Sequence, residues 1–184
     1  MKKVSSFLVL GLFAMVFSPD VTEARSFDGT RATGGVFSPV YHSSLTSYSD
    51  SIHNYTSYYE YAEDQWTGVS SEVISSGTGT DTFMVGTTSD ANTTGRMTPY
   101  NAGGIPASLD GTWATTQSVL FDNNIRSANF TSTNARAVAV HEVGHALKLS
   151  HQPDGVNSIM VQGRKNFSAI RAIDRESLIN KWGN

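Results

Sequence analysis

The chain contains no cysteine. No disulfide can staple it and no thiolate can hold or mask a metal, so an exported protein of this composition must rest on its apolar core and on bound ions. A basic run is missing too. Thirteen Lys and Arg stand against 16 Asp and Glu, for a net charge of −3, a balance that excludes nucleic acid as the expected partner. Apart from residues 4–17 there is no long apolar stretch. That run follows Lys2 and Lys3, is interrupted by Ser5 and Ser6, and precedes Thr22-Glu23-Ala24, a small-residue cleavage site. It is short for a membrane span and reads as a secretory signal peptide over residues 1–24. The expectation is a secreted, extracellular product with no membrane partner after cleavage, and the lysine-led leader without cysteine suits a bacterial exporter. No internal repeat is visible, and the remaining length suits one compact domain.

Histidine is scarce, with five in the chain, yet three fall in one window, His141-Glu142-Val143-Gly144-His145-Ala146-Leu147-Lys148-Leu149-Ser150-His151. A four-residue step on a helix returns to nearly the same face, so His141 and His145 can aim two imidazoles at one point. Zinc accepts imidazole nitrogen, and a catalytic zinc site uses three protein ligands and one open position. Glu142 adjoins the first ligand, where it can take a proton from a water at that position. A continued helix would put His151 about 240° around the axis from His145. The helix must therefore stop near Lys148 or Leu149 for the third ring to reach the other two.

These residues resemble the metzincin signature, HExxHxxGxxH followed by a methionine-containing turn. His141, Glu142, His145 and His151 match it, and Met160 in Asn157-Ser158-Ile159-Met160 looks like the turn methionine. The wording HEVGHALxLSH is most similar to the matrixin-like branch, over roughly Ala135–Met160. The resemblance implies Zn2+ on His141, His145 and His151, Glu142 as general base, Met160 as an apolar floor beneath the metal, and a protein or peptide substrate cut at its peptide bonds. It implies an α+β fold: a twisted mixed sheet with an edge strand over the cleft, a long backing helix, an active-site helix, a Met-turn and a C-terminal helix. Residues 25–47 then form a flexible N-terminal segment of the length of a short propeptide, and residues 48–184 the catalytic domain.

Two departures stand out. Lys148 occupies the glycine position, where positive φ costs a non-glycine residue on the order of 1 kcal/mol; either the site is weakened, or the turn differs and His151 is displaced. Val161 and Gln162 stand where many relatives carry a tyrosine. Both departures support an alternative, a catalytically weak or inactive binding protein on the same fold. A third reading is a zinc hydrolase acting on a non-peptide bond.

The remaining pattern predicts short strands at Val36-Phe37 and Val40-Tyr41. It predicts an amphipathic helix from about Asp50 to Trp66, continuing toward Val69 and Val73. Strands follow at Thr82–Val85, Gly95–Tyr100 (the edge) and Trp113–Phe121, with Asn123–Thr133 as polar loop. The active-site helix is expected over Ala135–Leu147 with Thr133 or Asn134 as its cap, and a closing helix over Ser168–Trp182. His42 and His53 read as surface or structural residues. Asp28 is a candidate to block the metal, although a solvated aspartate is the commoner state. Asp81, Asp90, Asp110 and Asp122 lie near turns and offer oxygen to a structural Ca2+ without forming a complete calcium loop. Asn54, Asn92, Asn129 and Asn166 begin glycosylation patterns that matter only in a eukaryotic secretory pathway.

Overall fold

The computed structural model describes residues 24–32, 36–71, 73–74 and 79–184. The expected signal peptide, Ala24 excepted, lies outside the described residues. Among the described residues no helix is long and apolar enough to cross a membrane.

The architecture is α+β. Strands β2 (Pro39–Tyr41), β4 (Asp81–Gly86), β6 (Thr115–Phe121) and β5 (Gly95–Tyr100) form a mixed sheet in that order. The first three are parallel; β5 runs antiparallel to β6 and closes one edge. Strands β1 (Val36–Phe37) and β3 (Val73–Ile74) make a separate parallel pair. The β4 pattern alternates buried and half-buried residues, as expected of a strand with one face on the core. Within residues 25–47, β2 is a strand of the main sheet, and α1 (Ser44–Tyr48) begins three residues after it. β1 and β2 take up the short strands expected at Val36-Phe37 and Val40-Tyr41.

Helix α2 (Tyr55–Trp66) starts five residues later than its periodicity predicts. Asn54 caps it, accepting from Ser57 N at 3.0 Å, while Asp50 takes the amides of Ile52 and His53 into a turn of its own. It ends at Trp66 with Thr67 as its C-cap, and Gly68, with φ 70°, then turns the chain away and leaves Val69 outside. Its buried stripe is Tyr55, Tyr58, Tyr59, Ala62 and Trp66. Tyr59 stacks on Phe83 of β4 at 4.1 Å, and its hydroxyl donates to Ser118 O of β6 at 2.9 Å. Trp66 reaches the other way and donates to Val140 O at 3.0 Å. The helix thus ties the sheet to the helix that carries the histidines.

Helix α3 (Asp122–Ser127) occupies the start of the segment predicted as polar loop. Arg126 binds Asp122 and Asp50, and buried Ile125 anchors the turn, so one apolar residue and an ion-pair relay suffice where periodicity shows nothing. Helix α5 (Ala172–Trp182) closes the fold, four residues shorter at its start than predicted. Asp174 sets that start by accepting from Arg171 N at 2.7 Å.

Candidate metal centre

Helix α4 (Ser132–Ala146) carries the motif. Its cap is Thr131, not Thr133 or Asn134. Thr131 and Asn134 form a reciprocal capping box, Asn134 N donating to Thr131 Oγ1 at 3.2 Å and Thr131 N to Asn134 Oδ1 at 2.8 Å. The helix stops where convergence requires. Lys148 takes φ 75°, Lys148 N donates to His145 O at 2.9 Å, and Leu149 N to Gly144 O at 3.0 Å. This is a Schellman ending with lysine in the position glycine usually fills. Of the two outcomes the sequence left open, the turn is kept and His151 is brought in.

The result is a trio of rings. His151 Nε2 lies 3.2 Å from His141 Nε2 and 3.0 Å from His145 Nε2. His141 Nδ1 faces Ile159 O at 2.8 Å and His145 Nδ1 faces Leu149 O at 2.8 Å. A carbonyl only accepts, so both Nδ1 atoms carry the proton and both Nε2 atoms present lone pairs. Two lone pairs facing a third ring cannot all be satisfied by one another. Such a set fits a cation, with the carbonyls fixing ring orientation as outer partners do in metal sites. Among the described residues this trio is the one group of three or more His, Cys, Asp or Glu side chains close enough to hold a metal ion. Three neutral imidazoles without a carboxylate suit a borderline transition metal over calcium or magnesium.

Asp81, Asp90, Asp110 and Asp122 do not gather. Asp81 is buried on Arg31 and Thr116, Asp122 holds Tyr55 and Arg126, Asp110 accepts from Asp28 N, and Asp90 accepts from Thr93. His42 is exposed, and His53 is buried against Tyr58. Asp28 does not reach the trio; its carbonyl instead accepts from Lys148 Nζ at 2.9 Å.

Burial depresses all three imidazoles below their ordinary range, His145 to about 4; a neighbouring ring adds to this at His141 and His145, and Lys165 does so at His151. The fold therefore keeps them neutral, the ligand form. A stability consequence follows for metal-free protein. His145 holds its proton less tightly folded than unfolded. Its contribution is complete above 6.5, its ordinary value, and is lost as pH falls toward about 4. Urea midpoints of stripped protein should fall across that window, and the slope should be shallower for His145→Gln; identical slopes would contradict the assignment.

Glu142 is 5 % exposed and lies beside the trio on α4. Burial pushes its carboxyl up to about 8, against the opposing pull of the Met97 backbone N–H and Arg96. A neighbouring dication would favour the carboxylate. Gly95, the first residue of the edge strand, makes room for it: a Cβ there would stand 2.6 Å from Glu142 Oε1 and from Val138 Cγ1.

Met160 is fully buried against α4, and Gly144 lets it approach, since a Cβ at Gly144 would clash with the Met160 sulfur and stand 2.9 Å from Trp66 Cζ2. Gly144→Ala is expected to cost about 1–3 kcal/mol by overpacking, more than the ~1 kcal/mol of helix propensity it gains, and to lower Tm by several degrees; an unchanged melt would argue against this contact. The turn itself hangs on Asp174, fully buried, which accepts from Ser158 Oγ and, at 3.0 Å, from Ile159 N. Gly95 and Asp174 were not singled out from sequence. An aspartate at the start of a helix is ordinary capping chemistry, and nothing local distinguishes one that also holds a distant turn.

The trio opens into a cleft of about 620 Å³, lined by Phe27, Leu109, residues 92–97, Asn134 and residues 162–165. The chain matches no protein-family model and no curated protein. A solved structure described as the "GM1 bound form of the ECX AB5 holotoxin" superposes with a TM-score of 0.42 at 18% identity, over 81% of this chain and 72% of that one.

Proposed function

We propose that the chain is a metzincin-like, matrixin-type zinc endopeptidase, acting outside the cell on protein or peptide substrates. The observation that carries this is the meeting of three imidazole Nε2 atoms beside a buried glutamate, next to the edge strand β5. His141, His145 and His151 would hold the ion. A bound zinc supplies a Lewis acid and a water of lowered pKa.

The chain's own groups do the rest. The edge of β5 left open before Pro99, whose carbonyl already accepts from Ala107 N at 2.9 Å, would receive the substrate as an added antiparallel strand, through backbone hydrogen bonds. Glu142 would accept the proton of the attacking water and return it to the leaving amine. Its near-complete burial keeps bulk water from competing for that proton. Met160 and Asp174 keep the floor and the turn in register with the rings.

A non-catalytic binding protein is the second reading, favoured by Val161 and Gln162 after the methionine, neither of which offers a phenol to the reacting carbonyl. Purified protein incubated with a peptide library separates the two. Cleavage that stops with o-phenanthroline and returns with zinc is the expected result. Saturable peptide binding with no cut at any zinc concentration would favour the second reading and end the first.

A further inference from the structure

Residues 25–31 run across one end of the cleft as a strap, and the structure commits its backbone closely. Arg25 O accepts from Ser150 N at 3.4 Å, and Phe27 N donates to Lys148 O at 2.8 Å. Asp28 N donates to Asp110 Oδ1 at 3.0 Å, and Thr30 O accepts from Trp113 N at 2.9 Å. Two ammonium groups complete the hold. Lys181 Nζ donates to Phe27 O at 2.6 Å and Gly29 O at 2.8 Å. Lys148 Nζ donates to Asp28 O at 2.9 Å, Leu109 O at 3.1 Å and Gly111 O at 2.6 Å, and sits 3.7 Å over the Trp113 ring. Lys148 is fully buried. Gly29 is obligatory here, with φ 66° and a Cβ position 2.5 Å from two carbonyl oxygens of the 108–111 loop. The residue that departs from the motif glycine therefore does two things: its backbone turns the third ligand inward, and its side chain bolts the strap to the loop after the edge strand.

The strap delivers one apolar side chain to the site. The Phe27 ring lies 5.8 Å from the His145 ring and 6.0 Å from Trp113, and it lines the cleft with Leu109, which is 43% exposed. Its end of the cleft is set by β5. Trp113 precedes Ala114, whose amide donates to Tyr100 O at 2.8 Å, so Phe27 and Leu109 stand at the Tyr100 end. Gly95, at the opposite end, faces Val138 and Glu142. A peptide antiparallel to β5 has its N-terminal residues at the Tyr100 end.

We propose that Phe27 and Leu109 form a recognition site for a large apolar side chain on the N-terminal side of the scissile bond, and that Lys148 is the positioning residue that holds this site in place. The proposal deepens the peptidase reading and rests on it for the direction of the substrate. A strap so bonded is a wall of the cleft, not a removable inhibitor.

The test gives native, Phe27→Ala and Lys148→Gly proteins a peptide library randomised on both sides of the cut, with cleavage sites read by mass spectrometry and metal content measured in parallel. Glycine at 148 accepts the positive φ, so that variant removes the ammonium and spares the turn. Native protein is expected to favour Phe, Leu, Met or Tyr on the N-terminal side. Both variants should lose that preference by roughly tenfold or more, while keeping the C-terminal-side pattern and one metal per chain. Loss of general packing would blur both sides alike. An unchanged N-terminal-side preference in Phe27→Ala, or a change confined to the C-terminal side, overturns the proposal. Should native protein cut nothing, the peptidase reading fails by itself. Fluorescence anisotropy with a labelled Phe-rich peptide and its Ala counterpart then decides: discrimination lost in Phe27→Ala supports the recognition site, and discrimination equal to native overturns it.

Discussion

Glu142→Ala should leave one metal ion on the histidine trio and lower peptide cleavage by about 10²–10⁴-fold, the range a positioned general base contributes. Metal retention follows from geometry. The three Nε2 atoms meet without help from the carboxylate, and two of the rings are oriented by Ile159 O and Leu149 O, not by Glu142. Loss of turnover follows because the side chain is buried beside the trio, with the Met97 amide of β5 as a hydrogen-bond donor. Gly95→Ala should act on the same group from outside: its Cβ would meet Glu142 Oε1 and Cγ at 2.6 and 2.9 Å and force the carboxylate aside. Metal analysis with steady-state kinetics on both variants checks this. Glu142→Ala cleaving at the native rate would remove the assigned role.

The motif was legible because its chemistry is local. Spacing placed His141 and His145 on one face, and the demand that His151 join them required a helix stop near Lys148 or Leu149, which the positive φ at Lys148 supplies. The edge strand Gly95–Tyr100 was readable from its punctuation, a polar loop before and Gly103-Gly104 after. What stayed hidden depends on partners distant in sequence. Asp174 holds the turn before Met160 from fifteen residues away, and Lys148 bonds to Asp28 across 120 residues. A lysine in a glycine position reads from sequence as strain alone; only the carbonyls gathered around its ammonium reveal a second role. The start of α2 was misjudged for a related reason. Apolar period runs through Ile52, but Asn54 and Asp50 compete for the amides and decide where the helix begins.

His151→Ala is expected to abolish the stabilisation that zinc confers. Binding at a free concentration of 1,000 times Kd stabilises the folded state by about 4 kcal/mol, roughly 8–16 °C in Tm for a chain of this size. His141 and His145 share one rigid helix and would remain in place after the substitution, leaving two ligands where three converge. His151 is the sensitive position because it reaches the others only through the turn at Lys148 and lies more exposed than they do. The measurement is a pair of melts, with and without excess zinc, on native protein and on the variant, alongside metal content after dialysis. Native protein should show the upward shift and about one ion per chain, and His151→Ala should show neither. Asp174→Ala should fall between them, since it frees Ile159 N and loosens the carbonyl that orients His141 while leaving all three imidazoles in the chain. A zinc-induced shift in His151→Ala equal to native would place the ion elsewhere and detach the metal from the trio.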